Sequence, residues 1–372
     1  MQVPLAFPSI DQNDIENVIR VLQSGQLVQG SQIKLLEKAV AALIGVEHAV
    51  AVSSGTATLH LALLSLGVGP GDEVVVPAFS YVATANVVEL AGAKPVFVDI
   101  LLDTFNIDPY RIEAAITPRT KALMPVHEFG YPADMERIIE IADRYSLPVV
   151  EDAACALGAE WKGRKVGAWG KIGSFSLHPR KAVTSGEGGV LTTNDSNLAK
   201  FFSIMRNHGI DNASGVMDFV AAGFNYRMTD IQAALVVGQL KRLKTIIAKR
   251  NVIMDCYDKE LKPRFFQKPK PPLNGRTTWQ SYHIVLNDDV AQTRFLHFLT
   301  EKGIGANYGA QCIPVQTYYR KKYGYTSVEF PVAYRAFSQG VVLPIFDSMT
   351  ENQVSYVIET VNNYKDLIHV IQ

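Results

Sequence analysis

Cysteine is scarce in this sequence. Only three occur in 372 residues, Cys155, Cys256 and Cys312. They are far apart and form no C-x-x-C pair, which argues against a disulfide framework or a zinc site and fits a reducing compartment. An excess of charge is also missing, because Lys+Arg and Asp+Glu each total 36. Nothing global therefore draws the chain to nucleic acid or an anionic membrane. No apolar run is long enough to span a bilayer, and the opening "MQVPLAFPSIDQND" has no basic segment of the kind that starts a secretory signal. The expectation is a cytoplasmic protein. Two phosphate-binding patterns are absent as well. No G-x-G-x-x-G follows a strand and no G-x-x-x-x-G-K-[ST] occurs, so dinucleotide and P-loop readings have no anchor.

Apolar residues are plentiful. They make up 48% of the chain against 19% charged, enough for a large core. Early helices are predicted in "DQNDIENVIRVLQSG", capped by Asp11, stopped at Gly25 and with Ile15, Val18, Ile19 and Leu22 on one apolar face, and in "SQIKLLEKAVAALIG". Then "HAVAVSS", "DEVVVPA", "KPVFVDI", "KALMPVHEF" and "LPVVEDA" alternate with helical segments such as "TATLHLALLSLG" and "MERIIEIADRYS". Those runs are continuously apolar, as strands buried on both faces are, and the alternation predicts an α/β domain with a mostly parallel sheet. A long helix through "DIQAALVVGQLKRLKTIIAKRNVIMDCYDKEL" leads to a proline- and lysine-rich arm. "SYHIVLN" and two further helices then suggest a smaller α+β domain. The division is placed at 1–245 and 246–372.

Ligands of open α/β sheets bind beyond the carboxyl ends of the strands, and three polar features fall there. Ser53, Ser54, Gly55 and Thr56 lead from a strand into a helix N-terminus; they form either a phosphate site or a plain helix cap. Glu151 and Asp152 end a buried strand, as caps or as partners of a ligand cation. "SFSLHPRKAVTSGEGG" holds Lys181 between a hydroxyl-bearing strand and a glycine-rich turn, glycines expected to leave room for ligands. Together these are the parts that pyridoxal phosphate needs. They supply a lysine to form an imine with the aldehyde, its pKa expected to fall in a crowded cationic pocket, and a carboxylate to keep the pyridine nitrogen protonated. Hydroxyls and backbone N–H groups serve the phosphate. Tyr81 in "PAFSYVATAN" is either a core aromatic or the ring that stacks on the cofactor.

The ordered motifs "SSGTATLHLAL", "PAFSYVATANVV", "VVEDAACALGA", "FSLHPRKAVTSGEGG", "MRNHG" and "NYRMTDIQAALVVGQL" resemble the DegT/DnrJ/EryC1/StrS family, over nearly the whole chain. Its members are pyridoxal-phosphate aminotransferases of nucleotide-linked keto sugars with the aspartate aminotransferase-type fold. The resemblance implies that Lys181 carries the cofactor imine and Asp152 pairs with the pyridine nitrogen. It implies that Gly55, Thr56 and Ser176 hold the phosphate, that Tyr81 stacks on the ring, and that Asn225 reaches the phosphate of the neighbouring subunit in a homodimer. Cys155 stands where many members have glutamine beside the ring oxygen, and a thiol is the poorer donor. His178 and Glu187 match the motif without a derivable role. The resemblance further implies L-glutamate as amino donor and, from "SLHPRK" with "TSGEGG", amination at C4 of a 4-keto-6-deoxy sugar. C3 amination, a cyclitol ketone and a non-catalytic regulator are the alternatives; Lys181 argues against a dehydratase, which would carry histidine there.

Overall fold

The computed structural model describes residues 1–212 and 215–365. All five apolar runs singled out above contain strands: β1 (His48–Val52), β2 (Glu73–Pro77), β3 (Lys94–Val98), β4 (Thr120–Leu123) and β5 (Val150–Asp152). Two more follow, β6 (Ile172–Ser176) and β7 (Gly189–Thr193). Hydrogen bonding orders them β3-β2-β4 and β1-β7-β6-β5. The parallel bridges Leu123–Val149 and Val126–Asp152 join the two groups into one seven-stranded sheet. Only β7 runs against its neighbours. Val74, Val75 and Val76 of β2 are wholly buried, as expected for a strand covered on both faces. The Gly55–Ser65 helix is buried from Ala57 to Leu63. It packs between other elements rather than at the surface.

The long helix runs Asp230–Glu260, 31 residues opened by a capping box of Thr229 and Gln232, about 46 Å at 1.5 Å per residue. It passes unbroken through residue 245. Beyond it, β8 (Phe266–Gln267), β9 (Tyr282–Leu286) and β10 (Gly340–Leu343) form an antiparallel sheet, flanked by helices Gln292–Glu301 and Glu351–Asn362. The apolar core is continuous from Val74 to Val341, so the two parts share one packed interior.

The apolar stripe of the first helix turns outward. The Gln12–Ser24 helix has its Asp11 cap and its left-handed Gly25 stop. Yet Ile15, Ile19 and Leu22 are 45%, 44% and 54% exposed. Its buried residues are Asp14 and Val21, because Asp14 is drawn onto the long helix by Arg242 Nη2 at 2.7 Å. On the long helix, Ala234 is wholly buried while Ile231, Leu235 and Leu240 are half-buried. The line that packs inward includes Ala233, Val236, Leu243, Ile246 and Ile253.

Candidate active site

Six strands of the sheet direct their carboxyl ends to one edge, and five of them, β1, β2, β4, β5 and β6, deliver a polar group there. After β1, Ser54 caps the Gly55–Ser65 helix, its Oγ accepting the Ala57 N–H at 3.1 Å. The first N–H groups of a helix have no intrahelical acceptor, so those of Gly55 and Thr56 are available to an anion. Ser176 ends β6 directly opposite. A Cβ on Gly55 would lie 2.8 Å from the Ser176 Cβ and 3.1 Å from its Oγ. No side chain fits, and the absence of one brings the helix N-terminus and the Ser176 hydroxyl into a single cradle. Helix N-terminal N–H groups beside a hydroxyl have the polarity that suits a phosphate.

Glu151 and Asp152 are neighbours on β5 and point to opposite faces. Glu151 accepts the N–H groups of Gly167, Trp169 and Gly170, each at 2.7 Å. It also faces His127 Nε2 at 3.1 Å. Because His127 Nδ1 accepts the Ala133 N–H at 3.0 Å, the ring proton sits on Nε2. Glu151 is thus a loop anchor. Asp152 faces the site. Its Oδ2 accepts from Thr84 Oγ1 at 2.8 Å and its Oδ1 from the Ala154 N–H at 3.2 Å. Burial pushes its carboxyl up, while those two hydrogen bonds and the charge of Lys181 pull it back.

Lys181 leaves the chain in a turn closed by its own N–H on the His178 carbonyl at 2.9 Å. Its Nζ lies 3.0 Å from Cys155 Sγ. Burial pushes the Cys155 thiol up and Lys181 opposes this. The expected cationic pocket is not what surrounds this lysine: the buried charged groups beside it are the carboxyls of Asp152 and Glu128. The turn glycines differ. A Cβ on Gly188 would strike Met228 and Ser185, and one on Gly189 would meet the Ser54 carbonyl at 2.6 Å, so these two let the chain close on itself, whereas Gly186 takes a positive φ with nothing within 4 Å of a Cβ placed there.

Tyr81 sits between β2 and the Ala83–Leu90 helix with 66% of its surface exposed, which leaves its ring free to cover a ligand. His178 is half-buried, and burial lowers its pKa while the nearby Glu187 carboxylate opposes that. Asn225 is exposed and pairs through its backbone with Asn207; the Tyr226 carbonyl beside it accepts the Ser53 N–H at 2.8 Å. Four participants were not singled out from sequence. Ser80, Thr84 and Glu128 line the Asp152 side, and Gln239 of the long helix grips Thr184 in both directions, at 2.9 and 2.8 Å. That amide pins the Lys181 turn to the core. For Glu128 a signal existed, since a carboxylate just beyond a buried strand had already marked Asp152.

Residues 8–362 match the sequence model of the DegT/DnrJ/EryC1/StrS aminotransferase family. The chain belongs to this family. GDP-perosamine synthase of Caulobacter vibrioides is 42% identical over 296 residues, 79% of this chain and 80% of that protein. A sugar aminotransferase of Streptococcus pneumoniae, solved in its PLP-form, matches with TM-score 0.92 and 30% identity over 97% of this chain and 98% of that one. Helicobacter pylori PseC, an aminotransferase involved in the biosynthesis of pseudoaminic acid, gives 0.92 and 29% over the same shares. This family member is a pyridoxal-phosphate-dependent aminotransferase of fold type I. Among its described residues no helix is long and apolar enough to cross a membrane, and no group of three or more His, Cys, Asp or Glu side chains could hold a metal.

Proposed function

We propose that the protein moves an amino group from L-glutamate to C4 of a nucleotide-linked 4-keto-6-deoxy sugar. In this reading Lys181 binds pyridoxal 5′-phosphate covalently. The observation that carries it is the meeting of Lys181, buried Asp152 and the Gly55–Ser176 cradle at one sheet edge. When bound, the cofactor supplies an amine-reactive aldehyde and a protonated ring that draws off electron density. Ser176 Oγ and the N–H groups of Gly55 and Thr56 hold its phosphate. With the cofactor bound, Asp152 would accept the ring N–H, Tyr81 would cover one ring face, and Cys155, 3.0 Å from Lys181 Nζ, would stand beside the ring oxygen. Lys181 Nζ, freed when the donor's amine takes its place at the cofactor, would take a proton from the α-carbon of the donor, and in the second half return one to the sugar carbon that carried the ketone. General base catalysis contributes about 10²–10⁴-fold.

The nucleotide-linked sugar is supported by the name of the Caulobacter relative, and the C4 position by the "SLHPRK" and "TSGEGG" pattern. A homodimer is supported by the outward Ile15, Ile19 and Leu22, with Leu27, Val28 and Leu35 also exposed nearby in sequence. In that dimer Asn225 serves the phosphate of the other subunit. Borohydride reduction with pyridoxal phosphate should label Lys181 in mass spectrometry. Glutamate with a panel of nucleotide keto sugars, read by NMR, should give a 4-amino product. A label on another lysine overturns the site, and a 3-amino sugar or an aminocyclitol overturns the substrate.

A further inference from the structure

Segment 307–316 carries the chain from the small antiparallel sheet to the edge of the site. At one end the Asn307 carbonyl accepts the Val342 N–H at 2.8 Å, and further on the Ile313 N–H donates to the Ala78 carbonyl at 2.8 Å. Between them a two-residue strand, Gln311–Cys312, pairs antiparallel with Phe79–Ser80, Gln311 opposite Ser80 and Cys312 opposite Phe79. Residues directly opposite in such a ladder share a face, with Cβ atoms about 5 Å apart. Phe79 and Cys312 are wholly buried in the apolar core. Gln311 and Ser80 therefore face the other way, into the site. Ser80 Oγ lies 3.0 Å from Thr84 Oγ1, which donates to Asp152 Oδ2 at 2.8 Å, and Tyr81 follows Ser80 in the chain.

The Gln311 amide is held there without a partner for its oxygen. Oε1 is buried and accepts no hydrogen bond from any described residue. Ser80 does not supply one. Thr84 gives its single proton to Asp152, so Ser80 must give its own to Thr84. Gln316, in the same segment, shows the ordinary outcome, its Nε2 donating to the Cys312 carbonyl at 3.1 Å. A buried acceptor left alone is costly, and a ligand group can answer it. The cofactor's polar groups are already matched in the proposed function, the phosphate by the cradle, the ring nitrogen by Asp152 and the ring oxygen by Cys155. An anionic group of a substrate would meet like charge, since Asp152 is buried on this side. A neutral hydroxyl fits. Turning the amide over exchanges its oxygen and nitrogen, and a hydroxyl, which both donates and accepts, meets either end.

We infer that Gln311 is a specificity-determining residue whose amide receives a ring hydroxyl of the sugar substrate, at C2 or C3. The inference rests on the proposed function, which supplies the sugar. Every residue proposed to hold the cofactor precedes the long helix, whereas Gln311 comes from beyond it. Cofactor and sugar are thus gripped by different parts of the chain, and a change at Gln311 should fall on the sugar.

Two variants test this as holoenzymes. Gln311→Leu keeps most of the volume and removes the amide; Gln311→Asn keeps the amide and withdraws it by one carbon. The half-reactions are read separately by the cofactor's absorbance, first with L-glutamate, then with the keto sugar that wild type aminates in the panel above. A glutamate step that runs shows that the variants fold. In both, the apparent dissociation constant of the sugar should rise about tenfold with the limiting rate little changed, the mark of lost binding. Wild type should also prefer that sugar about tenfold over its counterpart lacking the C2 hydroxyl or that lacking the C3 hydroxyl, and Gln311→Leu should lose that preference. Equal losses on deoxygenation in wild type and variant overturn the assignment. So does a weakening of the glutamate step, alone or to the same degree as the sugar step. These outcomes leave the proposed function standing. If wild type reacts with glutamate yet aminates no nucleotide keto sugar, the proposed function falls, and the hydroxyl assignment with it.

Discussion

Replacing Glu128 by glutamine should change how the stability of this protein depends on pH. Burial pushes the Glu128 carboxyl from its ordinary 4.5 to about 7, the Asp152 charge adds to this, and Lys181 opposes it. In the unfolded chain the group returns to its ordinary value. Between those two values the folded state holds a proton that the unfolded state has released, so stability falls as pH rises. The favourable contribution of the neutral acid is complete below 4.5 and is lost as pH climbs through about 7. At 1.36 kcal/mol per tenfold, the whole span is worth about 3 kcal/mol, of which roughly 2–3 kcal/mol falls between about pH 5 and about pH 8. Glutamine has the same shape and no titration. The stability of Glu128→Gln relative to wild type should therefore rise by that amount across the interval. Comparing the two proteins at each pH cancels groups that titrate in the opposite sense, such as the buried His283, which burial lowers to about 3. Urea unfolding of both proteins at matched concentration is the assay. A difference that stays flat with pH would refute the reasoning.

Other perturbations separate the parts of the site. Gly55→Ala places a methyl 2.8 Å from the Ser176 Cβ; overpacking of about 1–3 kcal/mol should weaken pyridoxal phosphate binding roughly ten- to a hundredfold, and an unchanged fluorescence titration would remove the cradle. Gln239→Ala strands the Thr184 N–H and carbonyl; at about 1–3 kcal/mol for each buried orphan, denaturation should show a loss of roughly 2–5 kcal/mol. Asp152→Asn should retain cofactor yet lose most turnover, because an amide does not stabilise the ring proton, and near-normal turnover would mean that another acid does this. Mixed and refolded dimers of Asn225→Ala with Lys181→Ala should regain some activity, since one site of each heterodimer would hold both native residues. Mixtures as inactive as their parents would confine Asn225 to its own subunit or to no site.

Local rules made much of this molecule legible. Asp11 caps the helix its side chain announces, because a cap involves residues only three apart. The apolar runs became β1 to β5 since full burial is written into consecutive residues. Lys181, Asp152, Gly55 and Ser176 could be proposed from sequence because ligands of such sheets gather where strands end. Strand β7, "GVLTT", was passed over, and its antiparallel course has no local sign. It depends on which neighbours it finds.

What the sequence by itself determined, then, is the class of the fold, the family and the residues at the strand ends, all set by short-range patterns of burial, capping and motif. The tertiary structure alone decided which way those residues face. Glu151 and Asp152 are chemically alike and adjacent, yet one anchors a loop and the other enters the site, because alternation assigns opposite faces only after the strand has its register. Ile15, Ile19 and Leu22 form an apolar stripe whose outward direction was set by the burial of Asp14 against Arg242, 228 residues away. Gln239 meets Thr184 across 55 residues, and Glu128 and Asp152 come from different strand ends to face the same Lys181. Such pairings follow from the closing of long loops around a shared core, and no spacing along the chain encodes them.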